Sequence, residues 1–171
     1  VLVSVVIPMR NAATTVGETL KTIVRQKYPI REIIAVDNVS KDNSRDIVRA
    51  FAKKSPIKVR LLGQKKDKGV ASSYNLGVKE AISSLVVFLT YDCSLPTSRE
   101  LEKLTKPLIA DEMVVASYAT SVLPYSIWHT YNFWQKLWAC RMVDNKSSMM
   151  VLKFDCIRRK AFLAIGGFDE M

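Results

Sequence analysis

The chain has 171 residues, 49% hydrophobic and 25% charged, which suffices for a domain with a sizeable core and excludes a disordered chain. No apolar run is long enough to span a bilayer. The net charge of +10, from 26 Lys plus Arg against 16 Asp plus Glu, favours anionic partners such as nucleotide phosphates, acidic lipid or nucleic acid, although a solvated surface accounts equally well for most single lysines.

Val1 to Met9 reads as a buried strand closed by Pro8, with no basic and apolar leader before it. Thr15 and Glu18 form the pattern of a capping box, and Val16, Leu20, Ile23 and Val24 follow at helical spacing up to Tyr28-Pro29. Glu32 to Asp37 is a second strand that ends on an acid. A polar loop, a helix over 45–54 and a third strand over 59–62 come next. A helix over 69–81, a fourth strand over 85–90, a short helix over 98–105 and a fifth strand over 113–118 follow. Alternating apolar strands and one-sided helices predict an α/β fold with a mostly parallel, Rossmann-like sheet covered on both faces. One domain over residues 1–171 is the simplest organisation.

Cys93, Cys140 and Cys156 are odd in number, far apart and without a C-x-x-C pair, so a reducing, cytoplasmic compartment is expected. His129, the single histidine, stands among aromatics and reads as a packed or interfacial residue.

In a parallel sheet all strand carboxyl ends share one edge, and ligands bind there. Three strands deliver polar residues to it: Pro8, Arg10 and Asn11 after the first, Asp37 and Asn38 after the second, and Thr90, Tyr91 and Asp92 after the fourth. One such acid is an ordinary turn former. Three sets, together with the helix opening at Lys68-Gly69, predict a pocket.

These residues resemble a family. "VSVVIPMRNAATTVGETLKTIVRQKYP", "REIIAVDNVSKDNSRDIV", "KGVASSYNLGVKEAISSLVVFLTYDCSLP" and "FDCIRRKAFLAIGGFDEM" are similar, in that order, to the motifs of inverting family 2 glycosyltransferases with the GT-A fold. The resemblance covers Val3 to Glu170. It implies transfer of a sugar from a UDP- or GDP-type nucleoside-diphosphate sugar to an unknown acceptor, with Mn²⁺ or Mg²⁺ as cofactor. Such an ion keeps several waters, so one carboxylate plus the diphosphate is enough to hold it.

By that resemblance Asp92 is the metal ligand, as the last acid of the family's Asp-x-Asp. Thr90 replaces the first acid, which contacts the ribose. Asp37 is the base-reading acid, and Asn38 replaces a second Asp. Val39 replaces a glycine, which is awkward if φ must be positive. Pro8, Arg10 and Asn11 lie along base and ribose, with Ala12 in place of a Glu. Asn75 and Gly77 match an Asn-x-Gly in the helix opened by Lys68 and Gly69, where Gly77 is as readily explained by close helix packing. The "KKDK" run at 65–68 either aids the diphosphate or is a solvated loop.

Gly166 to Glu170 is the family's acceptor-side ending. The family's usual general base lies in a later Glu-Asp motif, which would fall beyond Met171, so the resemblance implies a domain truncated at its C-terminal side. Three readings stand: a base in a continuation past Met171, Asp169 as the base, or a non-catalytic nucleotide-sugar-binding or regulatory module. The aromatic cluster "LPYSIWHTYNFWQKLW" at 123–138 divides evenly between aromatic packing and an interfacial helix. The second alternative gives a lipid-linked acceptor and a peripheral contact at the cytosolic face of a membrane. A nucleic-acid partner rests on charge alone and is not expected.

Overall fold

The computed structural model describes residues 1–119, 125–139, 143 and 152–170. Its elements in chain order are β1 (Val3–Met9), α1 (Val16–Val24), β2 (Ile30–Asp37), α2 (Ser44–Ala52), β3 (Val59–Gly63), α3 (Gly69–Glu80), β4 (Leu85–Leu89), α4 (Glu100–Ala110), β5 (Ala116–Tyr118), α5 (Tyr125–Trp128), α6 (Phe133–Ala139), β6 (Phe154–Arg158) and α7 (Arg159–Ala164). The sheet order is β3-β2-β1-β4-β6-β5. β1, β2, β3 and β4 run parallel, while β6 is antiparallel to β4 and β5.

The strands are β-branched runs buried on both faces, as a doubly covered parallel sheet requires. Alternation divides them. Val3, Val5, Ile7 and Met9 of β1 join Ile33 and Ala35 of β2 and Leu85, Val87 and Leu89 of β4 in one core with α1, α2 and α4. Val6, Ile34, Val36, Val86 and Phe88 form the second core with Tyr74 and Val78 of α3 and Phe162 of α7. Each fully buried Val, Ile or Leu contributes about 1.5–3 kcal/mol.

At Gly77 a Cβ would stand 2.2 Å from Val6 Cγ1. That glycine lets α3 approach β1 closely, which explains it without a ligand.

Three expectations are corrected. The Thr15–Glu18 capping box does not form: Thr15 makes no cap hydrogen bond to the helix, and its hydroxyl lies 3.5 Å from the Ala12 carbonyl instead. The helix expected over 98–105 starts at Glu100 and runs on to Ala110 through Pro107. Leu101, Leu104 and Leu108 continue its apolar stripe, and their burial outweighs the one hydrogen bond that proline removes. The stretch "FDCIRRKAFLAIGGFDEM", for which no strand was expected, begins as β6, a sheet strand, and Arg159–Ala164 is helical.

Among the described residues no helix is long and apolar enough to cross a membrane. Cys93 and Cys156 are free thiols, while Cys140 lies outside the described residues.

Candidate nucleotide-binding site

β1 lies between β2 and β4, so the chain leaves β1 toward one side of the sheet and later returns to the other. That reversal opens a crevice at the strand carboxyl ends. A cavity of about 350 Å³ sits there, lined by Pro8, Met9, Arg10, Asn38, Asp67, Gly69, Val70, Ser73 and Tyr91. Of the residues expected from sequence, Pro8, Arg10, Asn38, Gly69 and Tyr91 meet in it.

Asp67 organises this cavity. Its Oδ1 accepts from Asn38 Nδ2 at 2.8 Å and from the Gly69 N–H at 3.0 Å, and its Oδ2 pairs with the Arg10 guanidinium. The Gly69 amide, then Asn38, then Arg10 hold its acid below the usual carboxylate range. Asn38 Oδ1 in turn accepts from the Lys68 N–H at 3.2 Å. The first amide of α3, that of Gly69, and the Lys68 amide before it are therefore bonded within the chain. Sequence reading placed Asp67 in a lysine-rich run. The available signal was an Asp two residues before a glycine that opens a helix, an Asx-type cap.

Asp37 is fully buried and does not line the cavity. Its Oδ2 accepts from Arg45 Nε at 2.6 Å and from the Ser40 N–H at 3.2 Å. Its Oδ1 is buried with no hydrogen-bond partner. Asn11 also lies outside the cavity. Its amide N–H donates to Ser40 Oγ at 2.9 Å, and its Oδ1 accepts from the Lys41 N–H at 2.9 Å, tying the β1 loop to the β2 loop. Asn11 takes φ 49° and Val39 takes φ 57°. The positive φ at Val39, where the family carries glycine, puts a β-branched residue in a strained conformation.

Beyond β4 the chain turns. Cys93 N–H donates to the Thr90 carbonyl at 3.2 Å, and the Thr90 hydroxyl to Cys93 Sγ at 3.1 Å. The Tyr91 carbonyl accepts from Thr19 Oγ1 at 2.7 Å. Asp92 rides on this turn, exposed and without a hydrogen-bond or ion-pair partner among the described residues.

Asn75 joins α3 to the 166–170 loop. It donates to the Phe168 carbonyl and to Glu170 Oε1, both at 2.8 Å, and accepts from the Phe168 N–H at 2.8 Å. A Cβ on Gly167, which takes φ +82°, would stand 2.6 Å from Asn75 Oδ1, so the glycine is required twice over. Phe168 packs edge-on against Tyr74 and Phe162. Asp169, the base candidate read within the chain, is exposed and does not line this cavity. Met171, past which the family's usual base is expected, lies outside the described residues. Lys68 and Asn75 line a second, larger cavity on the other side of α3's first turn.

A buried acid that sequence reading missed is Asp155 on β6, opposite Phe88 in register. Neither carboxylate oxygen makes a hydrogen bond of normal geometry, and burial pushes its acid up to about 6, while the nearby Leu152 N–H, too poorly placed to count as a partner, draws it partway back. Nearby, the Tyr74 hydroxyl donates to the Leu152 carbonyl at 2.7 Å, and burial, then the Asp155 charge, push that phenol upward.

The family profile described as Glycosyl transferase family 2 matches residues 4–166. The chain belongs to glycosyltransferase family 2. Glycosyltransferase AglE of Haloferax volcanii is 31% identical over 103 residues, 59% of this chain and 33% of that protein. UDP-Glc:alpha-D-GlcNAc-diphosphoundecaprenol beta-1,3-glucosyltransferase WfgD of Escherichia coli is 32% identical over 91 residues, 53% of this chain and 35% of the relative. The chain thus spans about a third of the length of these relatives. Among solved structures, the mannosyltransferase PcManGT of Pyrobaculum calidifontis, in complex with GDP-Man and Mn²⁺, superposes with a TM-score of 0.79 at 25% identity over 98% of this chain and 47% of that one. The S. aureus protein TarS, in complex with UDP-GlcNAc, superposes with a TM-score of 0.58 at 21% identity over 66% of this chain and 32% of its own, a likeness of fold.

In this family 2 chain, no group of three or more His, Cys, Asp or Glu converges on a metal position among the described residues. The carboxylate that the strand ends leave exposed and unpaired beside the crevice is that of Asp92. That fits Mn²⁺ or Mg²⁺ when a diphosphate supplies the other oxygens, and it does not fit an all-protein cage.

Proposed function

We propose that this chain is the donor-binding part of a metal-assisted, inverting glycosyltransferase that uses a UDP- or GDP-type sugar. The observation that carries the reading is the cavity at the β1/β4 reversal, in a chain whose strand ends set Arg10, Asn38 and Tyr91 around it and leave Asp92 unpaired on the adjoining turn. Asp92 would hold Mn²⁺ or Mg²⁺ against the donor diphosphate. When bound, the ion neutralises the charge that develops on the leaving diphosphate.

The remaining tasks belong to the chain itself. Asp67 fixes Arg10 and Asn38 and keeps the guanidinium in place at the cavity wall. Asp37 accepts a base N–H through its unpaired Oδ1, which requires the Ser40 and Arg45 side of the loop to open. Thr90 takes a ribose hydroxyl by giving up its contact with Cys93. Inversion needs a base that removes the acceptor's proton as the hydroxyl attacks the anomeric carbon. Exposed Asp169 is the candidate in this chain, and a base beyond Met171 is the alternative.

The acceptor is proposed to be lipid-linked, as WfgD's name states for that relative. Contact with a membrane face, on the cytosolic side, accompanies that proposal. Phe133 and Trp134 are 70% and 74% exposed on α6, consistent with an interfacial surface. Leu123 and Pro124 of the aromatic cluster lie outside the described residues.

A second reading, a binding module without turnover, is favoured by one pair of observations. The Thr90 hydroxyl is engaged by Cys93, and Ala12, buried, stands where the family has a Glu. A thermal-shift panel of nucleotides and nucleotide sugars, with and without Mn²⁺, tests donor binding. Metal-dependent stabilisation by a UDP- or GDP-sugar is expected, and its absence across the panel would sink both readings. Radiolabelled transfer separates them.

A further inference from the structure

The larger cavity, about 730 Å³, lies outside the donor crevice. Lys65, Lys66 and Lys68 of the β3–α3 loop line it together with Ser72, Asn75 and Lys79 of α3. Gln64 and Glu170 complete its polar wall. The lysines arrive from two elements, so this concavity is not a single solvated run.

Their charge is uncompensated. Arg10, Arg45 and Arg60 of the neighbouring strands and loops each hold a carboxylate. None of the four lysine ammonium groups has an ion-pair partner among the described residues. The one acid in the cavity, Glu170, is drawn to Asn75, which, with Ser72 and then Lys68, keeps it below the usual carboxylate range. Four cations against one engaged anion in a concave wall focus positive potential inward.

Gln64 supplies an independent sign. Its Oε1 is buried without a partner, while Nε2 reaches Ser72 Oγ at 3.4 Å. Turning the amide over would let the Ser72 hydroxyl donate to Oε1 and would place an N–H₂ donor at the unpartnered position.

We infer that this lysine-lined cavity is a second anion site, separate from the donor crevice, which takes the diphosphate or phosphate ester of a non-donor ligand. The inference deepens the proposed function by giving the acceptor a phosphate-bearing class, and for that role it rests on the donor reading. The two cavities share the 67–69 segment: Asp67 and Gly69 face one, Lys68 the other. An anion on Lys68 is thereby linked to the Asp67 hub that holds Arg10 and Asn38.

The test is calorimetric titration of inorganic pyrophosphate, with EDTA present, into the full chain, into Asp92→Asn, into the triple variant Lys65→Ala/Lys66→Ala/Lys79→Ala, and into Lys66→Glu alone. Metal-free binding is expected in the wild type and unchanged in Asp92→Asn. It should weaken by roughly tenfold in the triple variant, as three partly screened charge pairs imply, and fall with added salt. No metal-free binding in the wild type, or equal affinity in both lysine variants, would overturn the inference.

Geranyl diphosphate in the same titration identifies the source. Tighter binding than pyrophosphate, lost with the same lysines, points to a lipid-linked ligand, and equal binding to a free phosphate compound. The Mn²⁺-dependent nucleotide panel, run on the wild type beside the triple variant, separates the two failures. Metal-free pyrophosphate binding with no nucleotide response in the wild type removes the donor reading alone, and a nucleotide response retained in both proteins without metal-free pyrophosphate binding removes the lysine site alone.

Discussion

The acids of the β1–β2–β3 side and those of the β4–β6 side live in opposite circumstances. Asp37 is held by Arg45, Asp42 by the amides of Ala13 and Ser44, Asp67 by Asn38, Gly69 and Arg10, and Glu32 by Ser4, Arg60 and the Ile82 amide. Across the reversal point, Asp92 and Asp155 have no hydrogen-bond partner among the described residues, one exposed and one buried. Of the acids satisfied by their own chain, Asp67 lines the crevice, and the others tie loops and strands together. An exposed, unsatisfied acid at a strand end is free to take a cation, and a buried one raises the energy of the ionised folded state.

Asp92→Asn should break the contrast most visibly. Mn²⁺-dependent affinity for a nucleoside diphosphate is expected to fall by about 100-fold, since on the proposed reading Asp92 is the charged protein ligand of the ion. Thermal stability should be unchanged, because Asp92 holds nothing. Titration with and without Mn²⁺ checks both.

On the held side the order reverses. Asp37→Ala strips Arg45 of its partner and should cost about 3 kcal/mol in urea unfolding, the low end for a broken buried pair because Arg45 is partly exposed. Nucleotide affinity should also fall, while the response to Mn²⁺ persists. An Asp37→Ala protein as stable as the wild type would show that the pair is not structural.

Asp155→Asn sharpens the other side. Because burial raises this acid to about 6 in the folded chain, its neutral form favours folding below the unfolded value near 3.8, and that contribution is lost as pH rises through about 6. Removing the charge should therefore stabilise the protein by about 2 kcal/mol at pH 8 and by little at pH 4. Denaturation at the two pH values measures the difference, and a gain independent of pH would refute the titration account.

The smallest effect is at Val39. Val39→Gly relieves a positive φ worth about 1–2 kcal/mol but frees the unfolded chain by about 0.5–1 kcal/mol, leaving a net gain near 0.5 kcal/mol. Differential scanning calorimetry should show a slightly raised Tm.

The parallel sheet was legible because burial on both faces forces continuous β-branched strands, and the strand-end residues followed from the common edge. The same pattern concealed β6: Phe154 to Arg158 is five residues long and leads straight into α7, so it carries too little periodicity to separate from that helix. The helix read over 98–105 likewise runs on through Pro107, because Leu104 and Leu108 are buried along it. The sequence by itself determined the α/β class and which residues stand at the strand ends, Pro8, Arg10, Asn38, Tyr91 and Asp92 among them, because local hydrophobic period and chain order decide which residues reach the sheet edge; the family was legible only from the resemblance of four motifs in order. Only the tertiary structure decided that Asp67 is the hub, that Asp37, Asn11 and Asn75 spend hydrogen bonds on the chain itself, and that Asp155 is buried without a partner. Those outcomes depend on contacts spanning tens of residues, as from Asn75 to Phe168, and hydrogen-bond satisfaction at such range leaves no periodic trace in the sequence.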